Sequence, residues 1–196
     1  AASVKLIVHG INTHPGSAKN KMRNAILFLH EFIALLPPAE TPAHTEGYEG
    51  FYHINAVEGD ETTASLHMLI RDHSDAMFEK RKAFVADTVR YLGGKYGENT
   101  FDLTITDSYR NMRVIIDKYP EIVARAENAM RACGVTPEIT AIRGGTDGAR
   151  LSFEGLPCPN LSTGGMGFHS IYEAIPVKAL EKMTEVLVKL VSASEA

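Results

Sequence analysis

Phe51-Tyr52-His53-Ile54-Asn55-Ala56-Val57, then Glu58-Gly59-Asp60-Glu61, and a few residues on Ser65-Leu66-His67-Met68-Leu69-Ile70-Arg71, is the stretch on which the fold turns. Two strand-like runs separated by a short polar turn read as a β-hairpin. On its N-terminal side Val4, Leu6 and Val8 alternate with Lys5, Ile7 and His9, the period of a half-buried strand. Between that strand and the hairpin, Met22, Ala25, Ile26, Leu29, Phe32, Ile33 and Leu36 recur at steps of three and four. This predicts an amphipathic helix over Asn20 to Leu36, which Pro37-Pro38 cannot continue. Beyond the hairpin, Asp75 to Tyr91 places Phe78, Val85 and Val89 on one side of a second helix, with Leu92 next in line and Gly93-Gly94 as the expected stop. Phe101, Leu103 and Ile105 then alternate with Asp102, Thr104 and Thr106 as a last strand. The order β-α-β-β-α-β predicts a split βαβ, ferredoxin-like unit: an antiparallel sheet covered on one face by two helices, able to fold alone.

The pattern changes after Arg110. Pro120 suits the first turn of a helix running to Cys133, and Gly134 suits the left-handed position that ends it. Strand-like runs at Glu138 to Ile142 and Asn160 to Thr163, glycine pairs at Gly144-Gly145 and Gly164-Gly165, and a last helix from Pro176 to Val191 give α/β punctuation. Two helices and two buried strands make a small core, so this part is expected to complete a larger sheet. The expected division is therefore α/β overall: a ferredoxin-like domain over residues 1–109 and a partial α/β segment over 110–196.

Composition bounds the partners. The chain has 196 residues, 20 Lys+Arg against 24 Asp+Glu, and 44% hydrophobic residues, an ordinary globular make-up. A net charge of −4 with dispersed cations offers no basic face for nucleic acid. The longest apolar runs, Ala34 to Pro38 and Glu185 to Val191, are far shorter than the roughly 20 residues of a membrane span. Cys133 and Cys158 are unpatterned and read as reduced thiols, which favours the cytoplasm. The start at Ala1-Ala2-Ser3, with neither Met nor leader, reads as a fragment or a processed chain.

Several residues invite chemistry, each with a plainer alternative. His169 follows a glycine-rich loop after an expected strand, where α/β proteins place functional side chains. It reads either as a solvent-exposed or core imidazole or as a metal ligand or acid/base. Gly144-Gly145-Thr146-Asp147-Gly148 reads as a turn capping a helix through Thr146 or Asp147, or as a backbone nest for an anion. Arg71 and Arg143 each end a strand-like run, where a guanidinium can grip a carboxylate with two hydrogen bonds or simply face water. His73-Ser74-Asp75 looks like a catalytic pairing, but its place between strand and helix marks it as a cap. His14, in the polar loop Gly10 to Asn20, by itself suggests only a restricted turn.

Taken together, His14-Pro15-Gly16 with Lys19-Asn20, Ile70-Arg71-Asp72, Ser108-Tyr109-Arg110-Asn111-Met112, Ile142-Arg143-Gly144-Gly145-Thr146-Asp147-Gly148, Gly155-Leu156-Pro157-Cys158-Pro159-Asn160 and Thr163-Gly164-Gly165 before His169 resemble the two-metal aminoacyl-peptidases, in particular their tripeptide-cleaving members. The resemblance covers essentially the whole chain. It implies a cytoplasmic zinc aminopeptidase, acting on small peptide substrates, whose catalytic domain is interrupted by a β-α-β-β-α-β lid. Residues 1–109 match that lid, and the remainder matches the closing segment of the catalytic domain.

Carried onto this sequence, the resemblance makes His169 a metal ligand. It sets Arg71 and Arg143, with Gly145, Thr146 and Asp147, at the substrate. It makes His14 the lid histidine that polarises the scissile carbonyl, in dimeric relatives from one subunit into the other. Glu173 keeps an acidic position of the family, whereas Met166-Gly167-Phe168 and Ser170-Ile171-Tyr172 depart from the residues expected beside the histidine.

The resemblance implies that the other zinc ligands and the catalytic glutamate belong to an N-terminal half absent from this sequence. A catalytic zinc needs about three protein ligands, so the chain alone is expected to be inactive, with the missing half as its partner and a homodimer possible through the lid. The competing reading is a non-catalytic ferredoxin-like binding or oligomerisation module that associates through an open sheet edge.

Overall fold

The computed structural model describes residues 1–192. The chain forms two compact units, Ala1–Asn111 and a second from Met112 onward.

The first unit runs β1 (Ala2–His9), α1 (Ala25–Leu35), β2 (Phe51–Gly59), β3 (Thr63–Arg71), α2 (Asp75–Tyr96) and β4 (Phe101–Asp107). Its four strands form one antiparallel sheet in the order β2-β3-β1-β4, the ferredoxin-like arrangement expected. Register follows the alternation: Leu6 stands opposite Leu66 on one side and Leu103 on the other, and Val4 opposite Met68 and Ile105. A one-residue slip would turn these side chains to the open face, so burial fixes the pairing. Leu6, Leu66, Met68 and Ile70 meet Leu29 and Phe32 of α1 and Val85 and Leu92 of α2 in a single core.

Two boundaries differ from expectation. The first helix begins at Ala25, because the Asn24 carboxamide caps it by accepting the N–H of Ile26 and Leu27. Residues 11–23 instead form a loop closed at its base by an antiparallel Ile11–Arg23 bridge. Met22 had the right spacing for the helix but lies outside it. The second helix passes straight through Gly93-Gly94 and stops at Gly97, whose φ of +106° suits glycine. Leu92 in the core and the Phe28–Tyr96 ring stack, 3.9 Å between centroids, hold those extra turns. That packing outweighs the roughly 1 kcal/mol each helical glycine costs.

The second unit holds α3 (Arg113–Ile116), α4 (Pro120–Ala132), α5 (Asp147–Phe153) and α6 (Val177–Ser192). Pro120 opens α4 and Gly134, at φ +74°, follows its end. Both expected strands are absent among the described residues: Glu138 to Ile142 and Asn160 to Thr163 make no ladder. An isolated strand leaves its N–H and C=O groups unpaired, and neither run pairs with another strand among the described residues. The core is small, with Ala129 and Cys133 packed on Val186 of α6. Both cysteines are free thiols. Much apolar surface stays in water, including Ile139, Leu156, Val177, Leu180, Val188 and Val191, each more than half exposed. Four of these six, Val177, Leu180, Val188 and Val191, lie on α6. No helix among the described residues is long and apolar enough to cross a membrane.

Candidate functional site

His14 sits at the head of a short 3₁₀ turn, Pro15–Ser17, in the loop closed by the Ile11–Arg23 bridge. The loop is further tied by Asn12 donating to Glu61 at 2.7 Å, and by the Arg23 guanidinium bonding the Tyr96 carbonyl and the Thr100 hydroxyl. The His14 ring is exposed, and its Nδ1 accepts the Gly16 N–H at 3.1 Å. A neutral imidazole accepting at Nδ1 carries its proton on Nε2, so this loop presents His14 as a donor through Nε2.

Arg71 ends β3 on the face opposite Leu66, Met68 and Ile70, paired with Phe51 of β2. Directly after it stands a cluster that sequence reasoning missed. Arg81 of α2, 8% exposed, donates from Nε to Asp72 at 2.8 Å, pairs with Glu40, and lies over the Tyr52 ring at 5.2 Å. Burial disfavours the Arg81 charge, but Asp72 and Glu40 outweigh that and raise its pKa. Burial also pushes the Tyr52 and Tyr109 phenols up; at Tyr109 this overcomes the opposing pull of Arg71. The available signal was Arg81 itself, a charge lying between Phe78 and Val85 on the apolar stripe of α2, which demands a partner. Gly50 is the closing piece, since a Cβ there would collide with the Asp72 carboxylate and the Arg71 carbonyl.

Ser74 caps α2 by accepting the Met77 N–H at 3.4 Å, so His73-Ser74-Asp75 is a helix start, as its sequence predicts.

In the second unit Arg143 is half-buried, and Gly144 and Gly145 lead into α5. Thr146 occupies the N-cap position but makes no side-chain cap; its hydroxyl instead accepts from the Asn160 carboxamide at 3.0 Å. Asp147 lies exposed in the first turn. The Ser152 hydroxyl accepts the Cys158 N–H at 3.0 Å, so α5 and the Pro157 to Asn160 segment form one tied piece.

His169 is exposed in a separate loop closed by the Met166–Ala174 bridge, with φ +66° and its N–H donated to Glu173 at 2.6 Å. Among the described residues no group of three or more His, Cys, Asp or Glu side chains is placed to hold a metal ion. Among the described residues His169 is therefore not part of a side-chain cluster that could hold a metal ion.

Residues 1–100 match the M20 peptidase dimerisation domain. The chain belongs to that family. It is also similar to peptidase T of Halothermothrix orenii, 52% identical over 191 residues, which are 97% of this chain and 47% of that protein. Among solved structures it resembles aminopeptidase PepT from Bacillus cereus, with a TM-score of 0.74 at 22% identity over 97% of this chain and 50% of the other. A tripeptidase from Staphylococcus aureus gives 0.76 at 17% identity with the same two coverages. At those identities the structural likeness speaks to fold. The chain spans about half the length of the curated relatives it matches.

Proposed function

We propose that this chain is the lid and the closing catalytic segment of a cytoplasmic two-zinc aminopeptidase that removes the N-terminal residue from tripeptides. The observation that carries the reading is 52% identity to peptidase T along 97% of the chain. The open apolar surface of the second unit supports it, because half a catalytic domain must leave uncovered the face its other half would bury. The N-terminal half supplies the remaining metal ligands and the catalytic glutamate, and the isolated chain is inactive.

His169 would be one ligand of the metal pair, which would supply a hydroxide nucleophile and polarise the carbonyl. The roles of this chain's other residues are those the resemblance assigns, and their chemistry suits them. Arg71 and Arg143 receive the peptide's C-terminal carboxylate, and so measure substrate length, by charge-assisted hydrogen bonds. Gly145, Thr146 and Asp147 line the substrate beside Arg143. His14 donates from Nε2 to the scissile carbonyl oxygen as negative charge develops there, a contribution worth about 10²–10³ in kcat for a single such donor. The protein works as a homodimer through its first unit. Strand β2 is an open edge, and the exposed apolar residues Ile26 of α1 and Val57 of β2 line one shallow groove beside it. Sedimentation of the complete protein reads this directly, and a monomer at working concentration refutes it.

Activity of the complete protein with zinc tests the reading. A free tripeptide is expected to be cleaved, and the same tripeptide with its carboxyl amidated to be a much poorer substrate. In Arg71→Ala the KM for the free tripeptide is expected to rise about tenfold or more, while cleavage of the amide changes little. Equal cleavage of acid and amide by the unaltered protein would remove the arginines from the carboxylate.

A further inference from the structure

His169 is one of two residues other than glycine with positive φ among those described, at +66°. An L-residue with a Cβ is disfavoured there, so something must hold it. The neighbouring side chains do not. Phe168, Ile171 and Tyr172 are 60%, 91% and 79% exposed, so no buried anchor flanks the histidine.

What holds the loop is its own polar network. The ends are joined by Met166 and Ala174 exchanging backbone hydrogen bonds at 2.9 and 3.1 Å. Inside, the Ser170 hydroxyl donates to the Gly167 carbonyl at 2.7 Å and accepts the Tyr172 N–H at 3.0 Å. The bond that reaches His169 itself comes from Glu173, whose carboxylate accepts the His169 N–H at 2.6 Å. It is charge-assisted and short, the strongest kind of hydrogen bond in this loop.

We infer that Glu173 is a positioning residue: by holding the His169 amide it keeps that backbone in the left-handed conformation and so sets the direction in which the imidazole leaves the loop. The inference rests on the reading of His169 as the functional side chain, yet the conformational part stands or falls separately. Glu173 acts through the main chain of His169. Its spacing explains why a carboxylate four residues after the histidine is useful in a loop that is not a helix. The Glu173 side chain folds back over one tight turn to reach the amide.

The test uses the isotope-labelled 196-residue chain in solution. In the unaltered chain the His169 amide is expected to show the strong intraresidue HN–Hα Overhauser effect of positive φ and slowed hydrogen exchange. Glu173→Ala is expected to lose that signature and to speed His169 exchange about tenfold or more. Glu173→Gln, which keeps a carbonyl acceptor at the same reach, is expected to preserve the left-handed signature. An unchanged His169 amide in Glu173→Ala would overturn the inference, as would a right-handed His169 in the unaltered chain. A complete protein in which His169→Ala keeps full activity would refute the ligand reading while leaving the positioning result intact.

Discussion

Replacing His169 by alanine in the complete protein is expected to lower tripeptide hydrolysis by at least about 10³-fold, because a catalytic zinc site built from about three protein ligands does not survive the loss of one. The substitution is a clean probe. His169 is exposed, so the variant is expected to keep the secondary structure of the unaltered protein by far-ultraviolet dichroism. Zinc content should fall together with activity. Retained hydrolysis with retained zinc would remove His169 from the metal and leave it a loop residue with an unusual backbone.

The second large effect belongs to stability. Asp72→Ala is expected to destabilise the first unit by about 3–5 kcal/mol, the usual result of removing one partner from a buried ion pair. Asp72 accepts from the Arg81 guanidinium at 2.8 Å and from the Ser74 N–H at 2.9 Å, so its loss strands a buried cation and loosens the cap of α2 together. Glu40 remains but is more exposed and holds only one edge of the guanidinium. Changing Arg81→Met with Asp72→Asn should cost much less, since no unpaired charge is then left inside. Urea unfolding followed by far-ultraviolet dichroism reads both; the chain has no tryptophan, so fluorescence reports little. Equal losses in the single and double variants would mean that packing, and not charge, makes Arg81 matter.

Much of the first unit was legible because its pattern is simple. Alternation at Val4, Leu6 and Val8 and at Leu66, Met68 and Ile70 has one meaning when both strands bury the same face. The errors fell where tertiary packing overrode a local rule. Gly93-Gly94 looks like a stop, yet Tyr96 stacking on Phe28 carries the helix past it. Met22 has helical spacing, yet a backbone bridge takes its neighbour Arg23. In the second unit the runs at Glu138 and Asn160 have strand composition, but a strand is a property of a pair, and neither run pairs with another strand among the described residues.

The candidate site was legible only through resemblance. Single residues such as His14 or Arg143 carry no signal of their own, and the folded units place them without stating a role. What geometry adds is specific: the protonated nitrogen His14 presents, the buried charges behind Arg71, and the carboxylate beneath the His169 amide. None of these depends on a residue type being unusual, which is why periodicity could not find them.

The most direct test of the central claim, that this chain brings a single ligand to a metal site completed by another half, is the zinc content of the purified 196-residue chain after loading and desalting. The expected result is well under one zinc per chain. Two tightly held zinc ions per chain would contradict it, and would mean that the ligands of a complete site lie within these residues.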